Sequence, residues 1–383
     1  MMSVLLTTRE KEILAAAKAF GISCLAPNAA RWEEDRRLAP EAVDMIREHG
    51  FFGIDCPPEL GGKGYSYLET ALTYEGLGYG DGGMAFFIQL HNNITFEIAT
   101  MFPITNAVRA KVPEMTGGRR LTCFSLTERD AGTDPSRSTT YAELREDGYH
   151  VFGEKAWASN HLDADYFNVI VKDSTPKGMI MLLVERGMPG FVIREDKRRV
   201  GGNAMSCGTL YFDDVVVPRE NLLSADGFRD ALRSIDIART YVPATAVGVA
   251  QRALDITAAR LAARETFGWP ILKSTAVQWK LADLTAKVEA ARWLCYHVAS
   301  CQDAGEHISV KAAMNKLIGP DVCLEVALEC AQLFGAEGCN WNSEITRCVN
   351  MARVMKIVDG TSEVQRMVIA RAIEKQAFAG IAG

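Results

Sequence analysis

The chain has 383 residues, more than one hydrophobic core usually organises, and its 48% hydrophobic content can fill two or three structural units. The 42 Lys and Arg residues are scattered and outnumbered by 48 Asp and Glu, so a net charge of -6 gives no electrostatic footprint for nucleic acid. No segment approaches the roughly 20 consecutive apolar residues of a membrane span and the N-terminus lacks a signal-peptide pattern, so we expect a cytoplasmic protein without nucleic-acid or membrane partners.

The first third of the chain has the periodicity of amphipathic helices. Apolar residues recur at three- and four-residue spacing from residue 10 to 115, and the pattern is broken by the Pro- and Gly-rich residues 56–65. Residues 78–83 satisfy Gly-x-Gly-x-x-Gly in letters. Residues 70–77 before them have a helical pattern rather than a strand pattern, so we interpret the glycines as the stop of that helix and not as a dinucleotide fingerprint.

The middle of the chain has the texture of a compact β module, and the remainder returns to helical periodicity. The predicted strands are 121–126, 166–171, 178–184, 190–193 and 209–217, and the predicted long helices after residue 228 include 275–303, 308–336 and 343–357. The predicted fold class is therefore α+β and mainly α. It has a helical domain at 1–120, a β-barrel-like domain at 121–227 and a four-helix bundle at 228–383.

The cysteines and histidines form neither a disulfide nor a metal-binding pattern. The ten cysteines contain no Cys-x-x-Cys pair, and the six histidines contain no His-x-x-x-His spacing. We expect no metal site, and we predict that most cysteines are buried, reduced thiols.

Two polar segments of the β module are candidate ligand contacts. The loop at 126–134 places hydroxyls, acids and a glycine after an apolar strand, and it either donates to an anionic or heterocyclic ligand or is a solvated turn. Residues 153–160 set Trp157 near Ser159, where the indole is either a ligand contact or ordinary core.

A carboxylate near the C-terminus is the candidate general base. Asp359 follows two apolar residues and precedes Gly360, so we expect burial to raise its pKa while the glycine lets the backbone come close to a ligand. The alternative is an Asp-Gly turn in which Thr361 or Ser362 caps the following helix.

Six blocks, in order along nearly the whole chain, resemble those of the acyl-CoA dehydrogenase family. One block alone would be a weak signal, whereas six in the family's order are specific. They are residues 53–64, 127–134, 153–160, 212–218 and 264–268, and Asp359-Gly360-Thr361.

The resemblance implies that FAD lies between the β domain and the bundle. It assigns one set of contacts to the same subunit and one to the FAD of a neighbouring subunit, so a homodimer or homotetramer is implied. The first set is Phe124, Leu126 and Thr127 on the flavin ring, Thr133 on the pyrophosphate, Trp157 packed on the isoalloxazine and Ser159 at its edge. Thr361 and Glu363 are further expected cofactor contacts. The second set is Arg264, Thr266, Phe267, Gln332 and Gly335.

The implied reaction is α,β-dehydrogenation of an acyl thioester. Asp359 falls at the base position, where the family normally carries Glu, and its side chain is shorter by one methylene, roughly 1.5 Å. It would remove the α-proton while flavin N5 accepts the β-hydride, and a flavin ribityl hydroxyl and the base residue's N–H would stabilise the enolate. Some relatives carry the base on a helix near the start of the bundle, at the position of Ala238 in this chain. Because alanine cannot accept a proton, the base is not relocated to that site here.

Departures from the family's pattern bear on the substrate. Bulky or polar residues in the acyl-pocket helix, Phe86 and Gln89, predict a short or compact and even polar acyl group. Asp236, Arg239 and Gly360 are expected to contact the thioester substrate. The family's usual Arg-x-Ser-x-Thr is replaced, with Asn203, Met205 and Cys207 at its three defining positions.

These departures leave two alternatives to the oxidation of a CoA thioester open. In the first, the same chemistry acts on an acyl group delivered by an acyl carrier protein instead of CoA. In either case the expected electron acceptor is an electron-transfer flavoprotein or O2. The other alternative is a flavin-binding protein that has lost dehydrogenase activity, with Asp359 as a remnant.

Overall fold

The N-terminal third folds as a layer of helices, as the sequence predicts. In the computed structural model, which describes residues 6–173, 178–195 and 198–381, the chain begins with a nearly continuous helical rod. A capping box at Thr7 and Glu10 starts this rod. The helices are α1 (Thr8–Phe20), a π-helical turn (Gly21–Leu25), α2 (Ala26–Asp35), α3 (Pro40–Glu48), α4 (Tyr67–Gly80), α5 (Gly82–Thr100), α6 (Asn106–Arg109) and α7 (Val112–Thr116).

The glycine run ends α4, as the sequence predicts, and it also begins the next helix. Gly78 and Gly80 lie in the last turn of α4, and Asp81 then caps α5 by accepting from the N–H of Met84 at 2.8 Å. Close backbone approach explains the glycines, since a Cβ on Gly80 would lie 2.3 Å from the Gly21 backbone and one on Gly78 would lie 2.6 Å from the carbonyl oxygen of Thr245.

By length and composition, the helical segment Thr8–Asp35 could cross a membrane, which the sequence analysis does not anticipate. In the structure this segment packs on α4, where Gly76 and Gly80 admit Ala17 and Gly21 at close range. Its apolar residues Phe20, Leu25 and Trp32 belong to the main helical core.

The middle of the chain forms one eight-stranded sheet in the order β6-β7-β3-β2-β4-β5-β8, with β1 paired to β4. The β1–β4 and β2–β4 pairs are parallel and the other pairs are antiparallel. Strands β2, β3 and β8 are not among the predicted ones. The strands are β1 (Thr122–Ser125), β2 (Tyr141–Leu144), β3 (Tyr149–Ser159), β4 (Tyr166–Asp173), β5 (Met179–Glu185), β6 (Phe191–Glu195), β7 (Cys207–Val217) and β8 (Leu222–Ser224).

The C-terminal part is a helical bundle with a small hairpin, and the predicted long helices are confirmed to within a few residues. Its first helix is the longest, and α4, α5 and α10 all pack against it, so it is the common wall of both helical layers. The elements are α8 (Gly227–Ala263), β9 (Glu265–Thr266), β10 (Trp269–Pro270), α9 (Thr275–Asp303), α10 (Ser309–Phe334), α11 (Glu344–Met355) and α12 (Ser362–Ile381).

The cysteines follow the prediction of buried, reduced thiols. All ten are thiols rather than disulfides, and seven of them are buried. Among the residues that the structure describes, no cluster of three His, Cys, Asp or Glu side chains could hold a metal ion.

A buried ion pair fastens the loop after β1 to β3. Lys155, fully buried, donates to the Glu128 carboxylate at 2.8 Å and to the Leu126 carbonyl at 3.0 Å. Burial alone would raise the pKa of Glu128, but Lys155 and the N–H of Thr139 lower it to about 2. Because this folded-state pKa lies below the value of about 4.3 in an unfolded chain, the pair stabilises the fold above that pH, and the contribution is lost as the pH falls toward 2.

Lys155→Met should lower the free energy of unfolding by about 3–5 kcal/mol, because it leaves the Glu128 carboxylate buried without its cation. The double variant Lys155→Met with Glu128→Gln should recover part of that loss. Urea denaturation followed by tryptophan fluorescence measures both. An unchanged free energy in the single variant would contradict this role of the pair.

Candidate active site

The turn between α11 and α12 has an unusual backbone. Asp359 has φ 54°, in the left-handed region that non-glycine residues rarely adopt, and Gly360 follows with φ 92°. A Cβ on Gly360 would lie 2.9 Å from Nε2 of Gln365 and 3.0 Å from Nη2 of Arg239. The glycine is therefore required both by its conformation and by the close approach of these two side chains.

Three side chains from three different helices hold this turn through its carbonyl groups. Arg239 of α8 donates from Nε to the Asp359 oxygen at 3.1 Å, and Lys316 of α10 donates from Nζ to the Gly360 oxygen at 2.8 Å. Gln365 of α12 also donates to the Gly360 oxygen at 2.8 Å. All three donors are buried, so the path of the backbone is fixed from three sides.

The Asp359 side chain, by contrast, is left available. Within the described parts of the chain its carboxylate takes part in no hydrogen bond or ion pair, and its N–H donates to no described residue. Burial raises the pKa of Asp359, and the charges of Lys316 and Arg239 offset part of that rise. The predicted upward shift is thus confirmed in direction, and it produces a carboxylate suited to accept a proton.

The structure places two of the expected substrate contacts next to the base segment. Arg239 is buried, with its Nη1 2.9 Å from the Asp236 carboxylate, while its Nε holds the Asp359 carbonyl. A guanidinium engaged at both ends is well placed to position the base. Its role in contacting a thioester remains a prediction.

The other expected substrate contacts lie on one face of α5. Phe86 and Gln89 are both buried, and the Oε1 atom of Gln89 accepts a hydrogen bond from the Thr245 hydroxyl of α8 at 3.3 Å. They therefore face the α5–α8 interface, where α8 also carries Arg239.

The β-sheet residues expected at the flavin ring are brought together by β1 and β3. The N–H of Ala156 donates to the Thr127 carbonyl at 2.8 Å, which sets the loop after Phe124 and Leu126 beside Trp157 and Ser159. A β-bulge between Lys155 and Ala158 redirects β3 at this point.

The bulge presents a flat apolar surface. Trp157 has φ 58° and its residue is 61% exposed, although indoles are usually well covered in folded domains. A strained backbone that holds an exposed aromatic ring next to the partly exposed Thr127 and Ser159 fits a planar heterocycle with polar edges. These residues are therefore suited to an isoalloxazine ring.

The remaining expected cofactor residues have more varied settings. Thr133 is exposed on the loop between β1 and β2, and Glu363 is exposed in the first turn of α12. Thr361 caps α12, since its hydroxyl accepts from the N–H of Val364 at 3.4 Å. The capping alternative considered for this segment is therefore correct, and it coexists with the unusual turn at Asp359.

The residues expected to reach a neighbouring subunit are solvent-exposed in the single chain. Arg264, Thr266 and Phe267 lie in and beside the β9–β10 hairpin at the end of α8, and Phe267 is 98% exposed. Gln332 and Gly335, at the end of α10, are exposed as well. Arg260 links the two regions by stacking on Phe334 at 4.8 Å, so both groups lie at the same end of the bundle.

Sequence reasoning missed two of the three donors that hold the turn, Lys316 and Gln365. Lys316 is fully buried among Ala312, Ala313 and Gly319 on the inner face of α10. A lysine on the apolar stripe of a helix was the available signal, because a buried charge needs a nearby partner.

Comparison with known proteins agrees with the three-part layout. Family models of the N-terminal, middle and C-terminal domains of acyl-CoA dehydrogenases match residues 7–112, 123–215 and 225–374. The short-chain specific acyl-CoA dehydrogenase of Clostridium acetobutylicum is 30% identical over 369 residues, covering 95% of this chain and 97% of the relative.

Two solved structures are similar over nearly the whole fold. Butyryl-CoA dehydrogenase from Megasphaera elsdenii gives a TM-score of 0.92 at 31% identity, covering 97% of this chain and 100% of the other. A prolyl acyl carrier protein oxidase gives 0.91 at 25% identity, covering 96% of this chain and 100% of the other.

Trp157→Ala should weaken FAD binding by about 5- to 100-fold, the range expected for losing an aromatic stacking partner. Trp279→Ala, which removes an indole that is 71% exposed on α9, is the matched control and should leave FAD affinity unchanged. Titration of the apoprotein with FAD, followed by quenching of flavin fluorescence, measures both. Equal affinities for the two variants would remove Trp157 from the cofactor site.

Proposed function

The chain belongs to the acyl-CoA dehydrogenase family of FAD-dependent oxidoreductases, and from this premise we propose that it oxidises a short or compact acyl thioester between its α and β carbons, with Asp359 as the base. The observation that carries the proposal is the turn at Asp359 and Gly360. Its backbone is fixed by three buried donors while its carboxylate stays free of partners.

The chain's own groups account for the proton. Asp359 takes the α-proton, and the electron pair of the broken Cα–H bond becomes the second bond of the new C=C. Bound FAD supplies the acceptor for the hydride that leaves the β-carbon. The unpartnered N–H of Asp359 is available to donate to the thioester oxygen, where negative charge develops as the proton departs.

Arg239 and Lys316 act on the base in two ways. Their hydrogen bonds to consecutive carbonyls fix where the short Asp side chain begins, which matters because it has one methylene less than Glu. Their charges also limit the rise in the pKa of Asp359 that burial causes, which favours the ionised carboxylate.

We infer that two or four copies assemble around the cofactor sites. The hairpin residue Phe267 has almost no contact within its own chain, and exposed aromatic residues of this kind mark protein interfaces. Arg264, Thr266, Gln332 and Gly335 share its end of the bundle and would complete the FAD site of a neighbour. An electron-transfer flavoprotein or O2 would be the final acceptor of the electrons removed from the substrate.

Delivery of the acyl group on a carrier protein is the second candidate. One similar structure is a prolyl acyl carrier protein oxidase, and the lost Arg-x-Ser-x-Thr motif supports the same idea. In this chain Asn203 is bound to Glu33, with its N–H 2.8 Å from the carboxylate, and Met205 is buried in the core. Competing the same acyl group on CoA and on a carrier protein for flavin reduction separates the two. FAD that no thioester reduces would identify the inactive flavin-binding alternative.

Asp359→Asn should retain FAD but reduce the rate of flavin bleaching by about 10²- to 10⁴-fold, because the amide cannot accept the α-proton. Asp359→Glu, which restores the family's usual side chain, should keep measurable bleaching. Anaerobic stopped-flow absorbance with a short acyl-CoA measures both variants. An unchanged rate of flavin bleaching in the Asn variant would contradict the assignment of Asp359 as the base.

The pH dependence of kcat/KM should report the pKa of Asp359 and the groups that shift it. Asp359 works when ionised, so kcat/KM should fall as the pH drops through its pKa, which burial raises above the ordinary 3.8. Lys316→Met removes a cation that favours the ionised form, so the acidic limb should move to higher pH. Lys356→Met, which removes a cation paired with Asp321, is the control and should leave the limb in place. An acidic limb that keeps its position or moves to lower pH in Lys316→Met would contradict this account.

A further inference from the structure

The interface of α4, α5 and α8 contains a polar seam that the proposed reaction does not explain. On α5, Gln89, Asn93 and Glu97 follow one another at four-residue spacing, and all three are buried. Helix interfaces at such positions are normally apolar. Phe86 and Gln89 were expected to line the acyl group, so the seam continues their face along α5.

Glu97 is the last residue of this polar seam, and its carboxylate has no ion-pair partner among the described residues. It is 2% exposed, its Oε2 atom has no hydrogen-bond partner, and no described lysine or arginine forms an ion pair with it. Burial raises the pKa of Glu97 to about 8, helped by the nearby charges of Asp359 and Asp55. Glu97 therefore lies within electrostatic range of the candidate base, on the acyl side of the site.

Asp55 is a second carboxylate of the same kind. It is 6% exposed, neither of its oxygens has a hydrogen bond of good geometry, and burial raises its pKa to about 7. Asn92 fixes its loop by accepting from the N–H of Gly53 at 2.8 Å and donating to the Phe51 carbonyl at 2.9 Å. The backbone just before Asp55 is therefore held in place, although the Asp55 carboxylate itself is unpaired.

Three tyrosines lie within electrostatic range of Asp55. Its charge acts on Tyr67, Tyr74 and Tyr241, and the ring of Tyr241 is 6.4 Å from that of Tyr67 and 5.2 Å from that of Tyr74. Two further buried atoms nearby lack partners, the Thr70 hydroxyl oxygen of α4 and the Asn93 amide oxygen of α5. Tyrosine faces, unpaired carboxylates and free oxygen acceptors are the groups that bind an ammonium ion.

We propose that the acyl group of the substrate carries a protonated amine, which Glu97 and Asp55 bind among Tyr67, Tyr74 and Tyr241. This inference rests on the proposed dehydrogenation, because it takes the seam as the acyl end of that site. An ammonium group supplies the donors that the free oxygens lack, and its charge compensates carboxylates that burial otherwise disfavours. An anionic acyl end would meet two acids, and an alkyl end would leave them unsatisfied.

The test compares isosteric thioesters on the FAD-loaded protein. The pairs are 3-aminopropanoyl-CoA with butanoyl-CoA and 6-aminohexanoyl-CoA with heptanoyl-CoA, with adipoyl-CoA as the anionic probe. Calorimetric titration of the Asp359→Asn protein gives the affinities without turnover. At one chain length or both, the ammonium ester should bind about 10- to 100-fold more tightly than its methyl partner, the range of a charge-assisted hydrogen bond.

Glu97→Gln should abolish that preference while leaving the affinity for the methyl partner within about twofold, and Asp55→Asn is an independent second variant. Glu33→Gln, at another buried carboxylate outside the seam, is the matched control and should keep the preference. FAD content and circular dichroism verify folding. The absence of a preference for the ammonium ester at both lengths, or a preference that survives Glu97→Gln, overturns the proposal.

Failure of this inference can be told apart from failure of the proposed dehydrogenation. If the wild-type flavin is bleached by no thioester, the proposed function fails, while the binding comparison still decides whether the seam selects an ammonium group.

Discussion

The site depends on the convergence of Arg239, Lys316 and Gln365 on two consecutive carbonyl groups. Each donor comes from a different helix, so the position of the Asp359–Gly360 turn is set by the packing of the whole bundle rather than by local sequence. Backbone carbonyls are good partners for this purpose, because they bind the cations without neutralising the Asp359 side chain. The same cations that hold the turn therefore also tune the pKa of the base.

Helix α8 connects this turn to the rest of the molecule. Arg239 of α8 donates a hydrogen bond to the Asp359 carbonyl, and Thr245 donates one to Gln89 of α5. Tyr241 packs against Tyr74 of α4. Glycines at the α4 contact allow this close packing, since a Cβ on Gly248 would lie 2.1 Å from the Glu75 carbonyl oxygen. The base, the acyl seam and the N-terminal helices thus share one rigid element, and a displacement of α8 would disturb all three together.

The sequence predicts element types well where periodicity is strong and fails where contacts are non-local. Helix α9 was predicted at 275–303 and spans Thr275–Asp303, whereas β3 was missed because its bulge and charged residues such as Lys155 hide the alternation. Asp359 was found because its Asp-Gly-Thr block is local. Lys316 lies 44 residues from the carbonyl it binds, and no short-range pattern could pair them. The sequence analysis singles out neither Glu97 nor Asp55, because only the fold shows that these two acids are buried.

Buried polar groups without partners lower the stability of an interface between three helices. An unpaired buried polar group costs about 1–3 kcal/mol, and apolar side chains at Asn93, Glu97 and Thr70 would fill the same interface without that penalty. Natural proteins tolerate such a cost mainly where a ligand repays it on binding. The hydrogen bonds of Asn92 to the backbone of Gly53 and Phe51 point the same way, because they hold the segment before Asp55 in place and keep its carboxylate away from water. The seam is therefore better explained as a preorganised recognition site than as a defect of packing.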